Sequence, residues 1–266
     1  MIEKNKSLTL SIILILTFLP APYASVYELQ NPQPYILQKL KQNDIVFLGT
    51  RHKQAPLLKF IQDLIPKLND ANVTDIGLEI ASDQQAQIDH YMDTGEGLKH
   101  IEIHSLIDCP EYRNILKVLR DTIFKKRPIT VALDLPTSKY ENPISRDEWM
   151  AKTISKVFKT NPNAKMLVVV GNNHILKKLD WQDHVLNKHS SIREYLMDFN
   201  PNLKMHSIGS VIVSSVYEDD FRKRFSGLEG AVALDDQFGG WKSGIIQSVA
   251  IKPSEVRELL DGLIVY

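Results

Sequence analysis

The sequence predicts an α/β fold: a single domain with a mostly parallel central sheet, helices on both faces and a less regular C-terminal third. Three observations carry this expectation. Short apolar runs rich in β-branched residues, such as Ile45-Val46-Phe47-Leu48 and Met166-Leu167-Val168-Val169-Val170, read as strands buried on both sides. Segments with a helical period alternate with them over short links, the pattern of a parallel sheet covered on both faces. No stretch rich in Pro, Gly or Ser divides the 266 residues into two units.

The elements follow in order. Lys4 and Lys6 precede an apolar run over residues 8–19, and Pro20-Ala21-Pro22-Tyr23-Ala24-Ser25 follows it. That is the order of a secretory signal peptide, and the run is short of the ~20 residues that a membrane span needs. Residues 1–25 are therefore expected to be a signal, with residues 26–266 as the folded domain. The expected location is periplasmic or secreted, with no stable membrane span after cleavage. A short helix is expected over 35–41, a first strand over 44–49 and a helix over 55–69. A second strand over 75–80 leads into a helix from Ser82 to about Met92, with Ser82 and Gln85 forming a capping box.

A helix over 111–126 has Ile115, Leu119 and Ile123 on one face. A third strand over 129–135, a helix over 145–159 and a fourth strand over 165–170 come next, and Asn172 begins another helix. In the last third, strands are expected over 206–217, 230–234, 248–251 and 261–266, with a turn at Gly239-Gly240-Trp241.

Composition narrows the function. Hydrophobic content is 43%, charged content 24% and formal net charge zero, which gives no reason to expect nucleic acid as a partner. The lone cysteine, Cys109, cannot form an internal disulfide. No phosphate-binding loop, Gly-x-Ser-x-Gly elbow or dinucleotide fingerprint is present.

Two segments share one pattern, Gly49-Thr50-Arg51-His52 and Gly171-Asn172-Asn173-His174. Each is Gly-x-x-His at the exit of an apolar strand, where the glycine is expected to let the chain turn sharply. Ligands of open α/β sheets bind at that carboxyl edge. The second strand delivers Glu79 there and the third delivers Asp134. A carboxylate flanked by Leu and Ile is costly to bury unless it is paired, and two carboxylates with two histidines can satisfy one another in one cleft. Such a set suits general acid–base work. Arg146, at the start of the helix before the fourth strand, is not explained by the helix dipole, whereas Asp147 beside it is. Arg146 could clamp a carboxylate or phosphate. His100 and His104 are four apart, so a helix there would present both on one face.

These residues together resemble the Tiki / TraB / erythromycin esterase / ChaN-type superfamily. His52, Glu79 and His174 are similar to the paired Gly-x-x-His motifs and strand Glu of its Tiki and TraB branch. Arg146-Asp147-x-x-Met150-Ala151 followed by Asn172-Asn173-His174 is similar to the esterase branch. Gly77-Leu78-Glu79 with Gln84-Gln85 resembles the ChaN-type branch, and Asp261-Gly262-Leu263-Ile264 looks like the closing strand. Where the esterase and ChaN-type branches have Gly-Glu-x-His, this chain has Thr50, as the Tiki and TraB branch does.

The resemblance implies a hydrolase of ester or peptide bonds acting on a small-molecule or peptide substrate. His52, Glu79, His174, Arg146 and Asp134 are the expected catalytic set, and Arg51, Asp147 and Asn173 the expected substrate-binding set. A divalent metal (Mn, Co or Zn) on His52, Glu79 and His174 is the expected cofactor. The alternative implied by the ChaN-type branch is a haem-binding uptake protein, with Tyr91, His100, His104 and Tyr112 as axial candidates. A third alternative is a binding module that keeps the fold without catalysis.

Overall fold

The computed structural model describes residues 29–141, 144–178, 191–210, 230–233, 242–243 and 254–265. The expected signal peptide, the turn at Gly239-Gly240-Trp241 and the strand over 248–251 lie outside them.

The described strands are β1 (Ile45–Thr50), β2 (Asp75–Ala81), β3 (Ile129–Asp134), β4 (Met166–Gly171), β5 (Met205–Ser210), β6 (Gly230–Ala233), β7 (Lys242–Ser243), β8 (Ser254–Glu255) and β9 (Gly262–Val265). The helices are α1 (Pro32–Gln42), α2 (Ala55–Leu64), α3 (Gln85–Thr94), α4 (Pro110–Asp121), α5 (Arg146–Thr160), α6 (Ile192–Phe199) and α7 (Val256–Leu259). Seven strands form one sheet in the order β3-β2-β4-β1-β5-β9-β6. All neighbours pair in parallel except β6, which runs antiparallel to β9.

Alternation along each strand splits the apolar side chains between two cores. Val46, Leu48, Ile76, Leu78, Leu167 and Val169 pack under α1 to α4. Ile45, Phe47, Met166, Val168 and Val170 pack under α5, α6 and α7. The chain winds from β1 outward to β3 through helices on the first face, then returns to β4 and crosses to β5 through α5 and α6 on the second. Right-handed crossovers require this change of face when the direction reverses. β1 and β4 are neighbours whose onward connections leave in opposite directions, so the crevice outside their carboxyl ends is the topological switch point.

Several local expectations are corrected. Ser82–Gln84 is a 3-10 turn, and α3 starts at Gln85 without a side-chain cap. The Ser82 hydroxyl instead accepts from Trp149 Nε1 at 2.9 Å. The Gln85 amide bonds the free edge of β3, donating to Thr130 O and accepting from Ala132 N–H, each at 2.8 Å. Tertiary partners outcompete the local capping box. The helix expected to reach residue 126 ends at Asp121, and Ile123 is 94% exposed. Asn172–Ile175 is a single 3-10 turn rather than the start of a helix. His100 ends a 3-10 turn and His104 lies beyond it in irregular chain, so they share no helix face.

Candidate functional site

The site is built around Glu79. Leu78 pairs with Ala132 and Ala81 with Asp134, so β2 spends three steps where β3 spends two. One extra residue therefore bulges in β2 at Glu79 and Ile80. Bulges re-aim side chains and end local pairing. The β2–β4 ladder stops at Leu78 and Val169. Beyond that point the side chain replaces the ladder: Glu79 Oε2 accepts from the Gly171 N–H of β4 at 2.7 Å.

The carboxylate is 5% exposed and needs a cation. Arg146 supplies it. Ser145 caps α5 by accepting from Glu148 N–H, which fixes Arg146 as the first helical residue, over the ends of β2 and β3. Its guanidinium donates through Nε and Nη2 to the two oxygens of Asp134, at 2.9 and 2.6 Å, and Nη2 also donates to Glu79 Oε1 at 2.8 Å. A cation at a helix N-terminus is unfavourable with the dipole. The two buried carboxylates outweigh that. Burial works against the guanidinium's charge, yet the Asp134 bonds and the Glu79 charge hold its pKa above the ordinary value. Asp134 Oδ1 also accepts from Leu135 N–H at 2.7 Å, so both of its oxygens are used in holding Arg146 and its own turn.

His174 closes the chain of charges. The 3-10 turn after Gly171 swings its ring back over Glu79, with Nε2 3.7 Å from Glu79 Oε1, beyond hydrogen-bond reach. Nδ1 lies 2.9 Å from Asp147 Oδ1. Burial disfavours the imidazolium, but the charge and hydrogen bond of Asp147, with Glu79 behind them, push its pKa up to about 9. At neutral pH the ring is therefore protonated and bonded to Asp147, and its Nε2–H faces the gap to Glu79. Such a group can donate a proton or stabilise an anion. Asp147, one of the expected substrate contacts, is bonded to His174. Only the carboxylate's place in the first turn of α5 is visible in sequence, not the imidazole 27 residues on.

The glycines of the two motifs differ in role. A Cβ on Gly49 would lie 2.2 Å from Asn172 Oδ1 and 2.6 Å from Ile175 Cδ1, so this glycine makes room for the second motif. Asn172 is held there by bonds with Ser210: its Nδ2 donates to Ser210 O and Oγ, and its Oδ1 accepts from Ser210 N–H. A Cβ on Gly171 would meet nothing closer than 3.5 Å, and its backbone is extended at φ −57° and ψ 146°. The expected sharp turn at glycine is absent from both. The left-handed residue is Lys53 (φ 53°), just after His52. Thr50 is buried and donates to Val170 O at 3.3 Å, bracing the two exits.

Thr50 stands opposite Gly171 in the β1–β4 register, so His52 leaves the sheet beside the turn that carries His174. Its side chain is exposed and joins none of the bonds that link Asp134, Arg146, Glu79 and His174. Arg51 is exposed and Asn173 half-buried on the same edge. The described donors do not fit a divalent metal. Of the expected ligands, His52 stands outside the network, and His174 offers only Nε2, its Nδ1 being held by Asp147. Both Glu79 oxygens already accept hydrogen bonds. No group of three His, Cys, Asp or Glu side chains able to hold a metal occurs among the described residues. Of the haem candidates, Tyr91 and Tyr112 are packed in the first core, while His100 and His104 are exposed.

No helix among the described residues is long and apolar enough to cross a membrane. No protein-family model and no curated protein matches the sequence. Solved structures do match. Erythromycin esterase EreC (an H289N mutant in its open conformation) is 13% identical, with a TM-score of 0.64 over 87% of this chain and 92% of that one. A Bacillus cereus protein is 14% identical, with a TM-score of 0.59 over 86% of this chain and 90% of its own. ChaN of Campylobacter jejuni, with cofacially bound haem, is 16% identical over 67% of this chain and 85% of its own, but its TM-score of 0.44 is too loose to carry an argument. The chain therefore has the fold that the sequence resemblance implied, the fold shared by erythromycin esterase EreC.

Proposed function

We propose that the chain is an exported hydrolase of ester or peptide bonds acting on a small-molecule or peptide substrate. One observation carries this reading: a continuous chain of charges, Asp134–Arg146–Glu79 and His174–Asp147, lies at the carboxyl edge of the sheet beside the switch point. Buried charge networks in such crevices are the usual setting of acid–base chemistry.

His52, exposed at the exit of β1, is the general base that takes a proton from water as the water attacks the substrate carbonyl. The new C–O bond leaves a tetrahedral oxyanion. Nη1 of Arg146 and the Nε2–H of His174 stabilise it, since neither makes a hydrogen bond among the described residues. His174, protonated at neutral pH, then passes its Nε2 proton to the leaving oxygen or nitrogen as the scissile bond breaks. Glu79 and Asp134 position Arg146, Asp147 positions His174, and Arg51 and Asn173 line the rim as substrate contacts.

His52→Ala and His174→Gln should each abolish hydrolysis of a panel of ester and peptide substrates, with circular dichroism unchanged. Full hydrolysis by both variants would overturn the reading. A haem titration that produced a Soret band tied to His100 or Tyr91 would favour the uptake alternative instead.

A further inference from the structure

At the amino edge of the sheet, opposite the candidate site, one short exposed segment takes no part in the proposed chemistry. Thr122 caps α4, and the next side chain, Ile123, is 94% exposed. The segment runs Ile123-Phe124-Lys125-Lys126-Arg127-Pro128-Ile129. It holds three basic residues and no acidic one. Lys125, Lys126 and Arg127 are exposed, and Ile129, which opens β3, is 62% exposed.

The exposure is held in place. Phe124 packs against the first core. The Lys125 N–H donates to Asn69 Oδ1 at 3.3 Å. Arg127 donates to Met92 O and Arg120 O, each at 3.1 Å. With the chain fastened on both sides, Ile123 is presented outward. The nearest acidic residue in sequence, Asp121, is paired with Arg120 at 2.8 Å.

We propose that residues 123–129 form a peripheral docking surface for an anionic lipid membrane. Ile123 enters the interfacial layer, and Lys125 and Lys126 face the headgroup phosphates, while Arg127 holds the segment in place. Charge complementarity selects an acidic partner, and Ile123 selects lipid among acidic partners. At 94% exposure it protrudes instead of lining a groove, and a fluid apolar phase takes a protruding side chain without a matching pocket. Docking here also leaves the cleft accessible. Ile129 and Asp134 are the two ends of the six-residue β3, so the two edges stand about 17 Å apart, and the crevice faces away from the bilayer.

The test uses the full chain with vesicles of phosphatidylcholine alone or mixed with phosphatidylglycerol. Partition into the mixed vesicles should exceed partition into the neutral ones and fall with salt. The double change Lys125→Ala, Lys126→Ala should lower it on the order of tenfold or more. Because the apolar N-terminal run could itself bind lipid, a local readout is added: Ile123→Trp should show a blue-shifted emission and extra quenching by brominated lipid relative to the parent. No extra quenching overturns the proposal. So does equal binding of parent and double variant. Salt-sensitive binding of polyglutamate through the same lysines without any lipid quenching also overturns it and assigns the surface to an acidic protein.

Discussion

His174 is where the site's electrostatics can be measured most directly. Its ordinary pKa of 6.5 rises to about 9 in the fold because Asp147 and Glu79 outweigh the penalty of burial. Between those values the native state holds a proton that the unfolded chain has released. Its stabilising contribution is thus fully present below about pH 6.5 and is lost as pH rises toward 9. Urea midpoints taken from pH 6 to pH 9 should fall with rising pH. Asp147→Asn removes the main partner and should flatten that slope. Identical slopes in the two proteins would show that Asp147 does not hold the proton. The histidine itself is visible in sequence, as the end of a Gly-x-x-His after an apolar strand. Its protonation is not, because the charges that set it come from α5 and β2.

At the scale of elements, the edge of the sheet is managed by one side chain. β3 is an edge strand, and an open edge invites pairing with another chain. Gln85 covers it by bonding Thr130 O and Ala132 N–H as a neighbouring strand would. Gln85→Ala should cost roughly 1–3 kcal/mol in chemical denaturation and speed hydrogen exchange at Ala132. An unchanged midpoint with unchanged exchange would refute this role. In sequence Gln85 reads as part of a capping box because Ser-x-x-Gln is a local signal, whereas the edge it serves lies 45 residues away. The strands themselves were legible, since runs such as residues 166–170 are apolar at every position, as burial on both faces demands. The end of α4 was not, because Ile123 fits the helical period while the backbone leaves the helix before reaching it.

Across the whole molecule, the two Gly-x-x-His segments lock together. Gly49 lies under Asn172, a residue 123 positions later, and Asn172 in turn is bonded to Ser210 on β5. The exits of β1, β4 and β5 are thereby tied at the switch point. Gly49→Ala drives a methyl group into Asn172 and Ile175 and should cost about 1–3 kcal/mol or more. Gly171→Ala meets only ordinary contacts and should stay within about 1 kcal/mol. Thermal unfolding of the pair checks this, and a larger loss in the Gly171 variant would contradict the packing described.

By itself the sequence determined the α/β class, the alternation of strands and helices through the fourth strand, and the identity of the charged residues at the strand exits. These follow from periodicity and from the cost of burying charge, both of which act along the chain. Only the tertiary structure decided which charges meet. Sheet order brings β4 between β2 and β1, the bulge in β2 turns Glu79 toward Arg146 and Gly171, and the start of α5 carries Asp147 to His174. It also left His52 exposed outside that network. Pairings of this kind depend on register and crossover, which no local pattern encodes, so the residues of the site are written in the sequence while their partners are written in the fold.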